Sequence, residues 1–298
     1  MVAKLHYEAD MAQVEIARKL NVSTSTVSRL LHKARALGIV RIEVLDPVVP
    51  EEITERLAEA LGLKAAAVID TPSTGILAAL TTPLRDLLRQ ADLKPSSVIG
   101  IGWGRAVREV IQAGLPRMPD VHVVALNGGH QESAPHLQIN EFVRNAAEQT
   151  GGKAHFMHAP YFSSASLRDA FLGDPGIREK VDLWDRIDCT IVGVGLHHRD
   201  ADPESHSLLR DDSLSADAVG DVIRHYFDVQ GNVVPWDGEG RMIAASVDQL
   251  RNARLSIGVA VSVEKAPSII GAVRSRMINA LVTDTSTALA ILERTGSH

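Results

Sequence analysis

Six small polar or basic side chains crowd the start of one helical period: Thr24, Ser25, Thr26, Ser28, Arg29 and His32. Small hydroxyls let a helix approach phosphates closely, and an arginine bonds a phosphate or reads guanine in the major groove. A plain solvated face is the alternative. Serine and threonine are mediocre helix formers, however, so their density here points to a recognition helix for double-stranded DNA. A second group of residues suits a different ligand. Val98-Ile99-Gly100-Ile101-Gly102-Trp103-Gly104-Arg105 reads as strand, glycine turn and helix start. Backbone N–H groups at such a turn hold anions, and Arg105 adds charge. Asn127-Gly128-Gly129 and Gly193-Val194-Gly195 repeat the pattern, each otherwise an empty tight turn. Asp221 stands among apolar neighbours, and Lys265 opens a helix after a strand; each is otherwise a solvated charge. Asn140 starts the helix after Gly128-Gly129, as a cap or as a contact to a sugar hydroxyl.

Other chemistries find no support. The single cysteine, Cys189, allows neither an intrachain disulfide nor a cysteine-based zinc site, and it fits a reducing cytosol. His197 and His198 are adjacent, and His130, His136, His155 and His158 lack zinc-ligand spacing, so no metal is expected. Neither a nucleophile elbow nor a Ser/His/Asp order is legible, and no catalytic residue is assigned. No acidic residue follows the glycine turn where a dinucleotide site needs one, no phosphate-binding lysine loop exists, and no cofactor is expected.

These residues need elements to position them. Residues 12–20 form a helix with Ile16, Ala17 and Leu20 on one face. Asn21-Val22-Ser23 is a turn in which Ser23 caps the next helix. That helix runs from Thr24 to Leu37, with Val27, Leu30, Leu31, Ala34 and Leu37 as its buried stripe and Gly38 at its C-cap. Ile39–Val44 alternates like a strand and suits a wing. Asp46-Pro47-Val48-Val49-Pro50 marks a boundary, and Glu51–Leu61 opens the second unit as a helix.

The rest alternates. Strands are expected at Ala66–Ile69, Val98–Ile101, Val121–Leu126, Ala154–Met157, Cys189–Val194, Met242–Ala245, Leu255–Val261 and Ala280–Thr283. Helices are expected at Leu77–Gln90, Arg105–Gln112, Ile139–Gln149, Ser166–Phe171, Ile177–Arg186, Glu264–Arg274 and Thr287–Glu293. This order predicts an α/β fold, a doubly wound, mainly parallel sheet behind an N-terminal winged helix-turn-helix. Domains are expected at 1–46 and 51–298. Ligands of such sheets bind beyond the carboxyl ends of the strands.

Charge agrees with two roles. The chain has 298 residues and a net charge of -6. Residues 1–45 carry seven basic and four acidic side chains, a net of +3, so the remainder carries -9. Only the head is suited to a polyanion. Aromatics at 4% disfavour a stacking platform for single strands. No apolar run reaches a membrane span, the N-terminus lacks a signal core, and a cytoplasmic protein without a membrane partner is expected.

The ordered motifs resemble the SorC family of sugar-responsive transcriptional regulators. In the head they are Tyr7, Met11-Ala12-Gln13-Val14-Glu15-Ile16-Ala17, Ser25-Thr26-Val27-Ser28-Arg29-Leu30-Leu31 and Ala36-Leu37-Gly38-Ile39-Val40. In the body they are Gly100 to Arg105, Leu126 to Gly129, Ala159-Pro160, Ile191 to Gly195, Val219-Gly220-Asp221-Val222 before Phe227-Asp228, Lys265, and Asn279 to Asp284. The resemblance implies an effector domain similar to ribose-5-phosphate isomerase and glucosamine-6-phosphate deaminase. It also implies a sugar, polyol or sugar-phosphate effector and a homo-oligomer, dimer or homotetramer, on palindromic operators. Gln13 joins the DNA-contact set on this ground. The resemblance maps the family's phosphate loop onto Gly102, Trp103, Gly104, Arg105 and Ala106, its ligand-contacting acid onto Asp221 and its basic residue onto Lys265; with Gly128, Gly129 and Asn140, read above from the residues themselves, these make the expected effector site. The chain departs from many members at Val261-Ser262-Val263-Glu264, where they carry two glycines, so the phosphate end is crowded. A sugar-phosphate isomerase is the alternative function. It needs a positioned base and acid, which the sequence does not supply.

Overall fold

The computed structural model describes residues 1–7, 11–36, 50–71, 75–129, 138–196 and 217–296. The chain divides into two compact units, Met1–Val48 and Val49–His298. The first contains helices α1 (Val2–Tyr7), α2 (Gln13–Leu20) and α3 (Thr24–Ala36). Ile16, Ala17, Val27 and Leu31 form its core, with Val2, Ala3, Leu5, Met11 and Leu20 packed around them. Helix α1 was not legible as an element, yet it supplies three of these side chains. Ala34 is also buried, whereas Leu30 is 41% exposed and lies outside the stripe expected for it. Five apolar positions make too wide an arc for one small partner face, and Leu30 lies at its edge. The expected Gly38 cap, the Ile39–Val44 wing and Leu37 fall outside the described residues.

The second unit begins with α4 (Pro50–Leu61), which buries Ile53 and Leu57. Its seven-stranded sheet holds β1 (Ala65–Ile69), β2 (Val98–Ile101), β3 (His122–Ala125), β4 (Lys153–His155), β5 (Ile187–Gly193), β10 (Leu255–Val259) and β11 (Ala280–Asp284). The order is β1-β11-β10-β5-β2-β3-β4, and every pairing is parallel. A second, antiparallel sheet joins β6 (Gly195–Leu196), β7 (Gly220–Val222), β8 (His225–Phe227) and β9 (Val233–Val234). Its strands of two or three residues are too short to show an alternation in sequence.

The helices between strands are α5 (Ile76–Ala79), α6 (Thr81–Gln90), α7 (Arg105–Ala113), α8 (Ile139–Thr150), α9 (Ala165–Gly173), α10 (Pro175–Val181), α11 (Val247–Asn252) and α12 (Ala266–Arg274), and α13 (Thr285–Thr295) follows the last strand. Right-handed crossovers put α6, α7 and α8 on one face of the sheet and α12 on the other, where α13 packs beside it. Accordingly α7 touches α6 and α8, while α4, α12 and α13 touch one another. Three expected elements differ. The helix Leu77–Gln90 is two helices meeting at Leu80. The helix Ile177–Arg186 ends at Val181 and is followed by a 3-10 turn, Trp184–Arg186. Met242–Ala245 is no strand: it makes single bridges, Phe162 with Met242 and Asn127 with Ala244. Its backbone bonds to residues 126 and 128 on one side and to Tyr161 on the other, but neither side forms a continuous ladder. Among the described residues no helix is long and apolar enough to cross a membrane.

Candidate functional site

In the first unit, Ser23 Oγ accepts the Thr26 N–H at 3.1 Å and caps α3. Before it, Asn21 turns the chain through the left-handed region at φ 51°, and the Val22 N–H closes α2 onto the Ala17 carbonyl at 3.0 Å. This compact corner fixes where α3 begins. Ser25, Ser28, Arg29 and His32 are all exposed and lie at i, i+3, i+4 and i+7, one continuous face. Thr24 is exposed beside them, and Thr26 and Gln13 are half-buried. Val27 and Leu31 anchor the opposite side of the helix. The helix thus presents hydroxyls and a guanidinium from its N-terminal half, with the His32 imidazole one turn further on.

In the second unit, the chain runs from β2 towards β3 on one side and from β5 towards β10 on the other. Strands β5 and β2 are neighbours, so their carboxyl ends flank the switch point of the sheet. Gly102, Trp103 and Gly104 leave β2 there, and Gly193, Val194 and Gly195 leave β5. Gly102 extends the pairing by donating its N–H to the Ile191 carbonyl at 2.9 Å. A Cβ on it would lie 3.0 Å from Val192 Cγ1 and 3.2 Å from Ile223 Cγ2. Gly104 caps α7 at φ 154°, and the first N–H groups of that helix have no intrahelical acceptor.

Asp221, on β7, pairs directly with Gly195. A Cβ at Gly195 would sit 2.0 Å from Asp221 Oδ1, so only glycine leaves room for the carboxylate. Asp221 Oδ2 accepts the Arg224 N–H at 2.8 Å. Lys265 ends a 3-10 turn immediately before α12, and its Nζ donates to the Val194 carbonyl at 2.7 Å. Burial lowers the Lys265 pKa; Asp221 opposes that shift and Arg105 adds to it. Sequence positions 105 and 221 therefore both lie within electrostatic reach of Lys265. In the departing segment, Ser262 has φ 130° and donates its N–H to Thr287 Oγ1 at 2.9 Å. A serine thus holds the left-handed conformation that glycine favours.

Three expected residues have structural duties. The Gly128 N–H donates to Ile243, and the Gly129 N–H to Ala159, both at 2.9 Å, so neither is offered to a ligand. Gly128 is glycine because a Cβ would lie 2.4 Å from the Pro160 carbonyl oxygen. Asn140 Oδ1 accepts the Met157 N–H at 2.9 Å, and its Nδ2 donates to the Met157 carbonyl at 3.1 Å. Its amide ties α8 to the segment after β4.

Sequence reasoning missed two members of the crevice. Arg224 Nη1 donates to Tyr226 Oη at 2.8 Å. Burial works against its charge, but Tyr226, Asp221 and Tyr161 outweigh that and raise its pKa. Tyr161 is 3% exposed, and burial pushes its phenol well above the usual range despite Arg224. No motif signals either residue, because a lone arginine and a lone tyrosine have no informative spacing. Among the described residues no group of three or more His, Cys, Asp or Glu could hold a metal. His130, His136, His197 and His198 lie outside them.

Residues 48–293 match the family described as "Putative sugar-binding domain", and residues 1–36 match Sigma-70, region 4. The chain is 30% identical to the sorbitol operon regulator of Klebsiella pneumoniae, over 98% of this chain and 96% of that one. It is 29% identical to the deoxyribonucleoside regulator of Bacillus subtilis, over 97% and 95%. The crystal structure of the full-length sorbitol operon regulator SorC from Klebsiella pneumoniae superposes with a TM-score of 0.75 at 29% identity, covering 98% of this chain and 96% of that one. These matches are to regulators, and they give the isomerase alternative no support.

Proposed function

The chain belongs to the SorC family of transcriptional regulators, and from that premise we propose that a sugar, polyol or sugar phosphate in the switch-point crevice controls DNA binding by α3. It is a regulator and not an enzyme. The carrying observation is the crevice itself: one carboxylate, Asp221, and one ammonium, Lys265, meet beyond the ends of β2 and β5. A carboxylate accepts hydrogen bonds from hydroxyls, and an ammonium donates to an electron-rich or anionic end. A polyhydroxylated chain satisfies both. The relatives are named for sorbitol, a polyol, and for deoxyribonucleosides, which contain a sugar.

DNA is read by Ser25, Ser28, Arg29 and His32, with Thr24, Thr26 and Gln13 supporting phosphate contacts. The first unit is the DNA-binding domain, and the second binds effector and assembles the protein. One helix reads too few base pairs for useful selectivity, so two-fold pairing on a palindromic site is required, as a dimer or tetramer. The effector acts by binding the DNA-competent and incompetent assemblies unequally.

A thermal-shift screen of sugars, polyols and their phosphates tests the reading. A ligand at ~100 times its dissociation constant adds about 2.7 kcal/mol of apparent stability. The hit is then added to a gel shift with DNA selected by the full-length protein from a random library. A hit that leaves DNA affinity unchanged, or a screen in which no compound of the class stabilises the protein, refutes the proposal.

A further inference from the structure

The hairpin between β7 and β8 turns through two residues, Ile223 and Arg224, with φ of 43° and 64°. Two-residue turns of this hand favour Asn-Gly, because both central residues need positive φ. A β-branched isoleucine there is strained, and such strain collects at ligand clamps. Two contacts hold the turn. Asp221 accepts the Arg224 N–H, and buried Ile223 packs where a Cβ on Gly102 would be. The strain therefore places Arg224 against the crevice.

Its guanidinium is largely buried and uses one N–H on Tyr226. Among the described residues no carboxylate lies within ion-pair distance of it, and Asp221 meets it through the backbone N–H alone. A guanidinium carries five N–H donors in a planar fork that matches an oxyanion. Tyr161 packs in one buried cluster with Tyr226, the partner of Arg224, and burial keeps its phenol protonated. Its backbone is fixed, N–H to the Gly129 carbonyl at 2.9 Å and carbonyl to the Ile243 N–H at 2.8 Å. Asp221 favours the charged form of both Lys265 and Arg224, so this one carboxylate faces two cations.

Resting on the crevice as the effector site, we propose that Arg224 and the Tyr161 hydroxyl form an oxyanion subsite separate from Lys265, which takes a carboxylate or phosphate of the effector. The effector is then an acidic sugar derivative whose hydroxyls face Asp221. A neutral polyol would leave the fork unfilled.

Inorganic phosphate titrated into the full-length protein at constant ionic strength tests this, with calorimetry for affinity and tryptophan fluorescence for position. Trp236 lies edge-on to Tyr226 with ring centroids 5.4 Å apart, so it reports this subsite, and Trp236→Phe isolates its share. The expected result is saturable binding that Arg224→Gln weakens tenfold or more. Arg224→Lys keeps the charge without the fork, weakens binding less, and carries the test alone if Arg224→Gln fails to fold. Lys265→Gln leaves the Trp236 signal within twofold. Competition by five- and six-carbon aldonates assigns the subsite to carboxylates, and competition by aldose phosphates assigns it to phosphates. No saturable binding, binding indifferent to both Arg224 variants, or competition by neither class overturns the inference. Neutral sugar binding that depends on Asp221, alongside phosphate binding that ignores Arg224, refutes this subsite and leaves the regulator reading standing.

Discussion

Gly195→Ala is the sharpest perturbation of the crevice, because its effect follows from one distance. The new Cβ would lie 2.0 Å from Asp221 Oδ1 and 2.9 Å from its Cγ. Ordinary contact between heavy atoms is roughly 3.5 Å, so about 1.5 Å must be found. Asp221 cannot swing aside freely, since Oδ2 holds the Arg224 N–H at 2.8 Å and its backbone pairs with residue 195 itself. Releasing that bond to a charged acceptor costs about 1.5–3 kcal/mol, and overpacking costs about 1–3 kcal/mol where the bond survives. The expected loss is about 2 kcal/mol, or roughly 4–8 °C in melting temperature for a unit of this size. Effector affinity should fall at least tenfold, since the displaced carboxylate no longer meets the hydroxyls. Gly193→Ala is the control: its Cβ would meet nothing nearer than 3.9 Å, and its melting should stay within about 0.5 kcal/mol of wild type. Differential scanning calorimetry and effector titration read both variants. Equal behaviour of the two alanines would refute the geometry on which the site rests.

Arg29→Ala should weaken binding to selected DNA by about 1–3 kcal/mol in gel shifts at fixed salt, since the side chain is exposed on the recognition face. Ser23→Ala removes the cap on the Thr26 N–H and should cost the first unit about 1 kcal/mol, read as weaker amide protection in hydrogen exchange over α3. Cys189 is fully buried and its thiol is pushed up to about 12, so a thiol reagent should label the native protein only as fast as it unfolds. Burial and the charge of His122 hold the His155 pKa below its ordinary value. The unfolded chain then binds this proton more readily, so stability should fall as pH drops through about 6.5, and His155→Gln should flatten that slope in denaturant titrations.

Much of the molecule was legible in the sequence because its signals are local. Serine and threonine density with a 3.6-residue apolar stripe marks α3, and the Ser23 cap needs three residues to recognise. Apolar runs of four to seven residues between helical periods mark the parallel strands, whose burial on both faces leaves no alternation to misread. Glycines at strand ends identify the crevice, but they do not say why each is glycine. Gly195 makes room for Asp221, Gly128 for the Pro160 carbonyl, and Gly104 caps a helix at φ 154°. Only tertiary structure decides the first two, because the obstructing atom comes from elsewhere in the chain. The same holds for Met242–Ala245, which has the composition of a strand yet meets its neighbours on either side through single bridges only. Leu30 belongs to the helical stripe by spacing and is exposed because α1 and α2 offer too small a face to cover it. Arg224 and Tyr161 are the strongest case. They are 63 positions apart and are brought together through Tyr226, which bonds Arg224 and packs in the same cluster as Tyr161. A turn of isoleucine and arginine at positive φ carries no local preference to reveal it. Periodicity and capping are written in neighbouring residues, while cavities, charge pairs and strained turns depend on which distant segments the fold brings together.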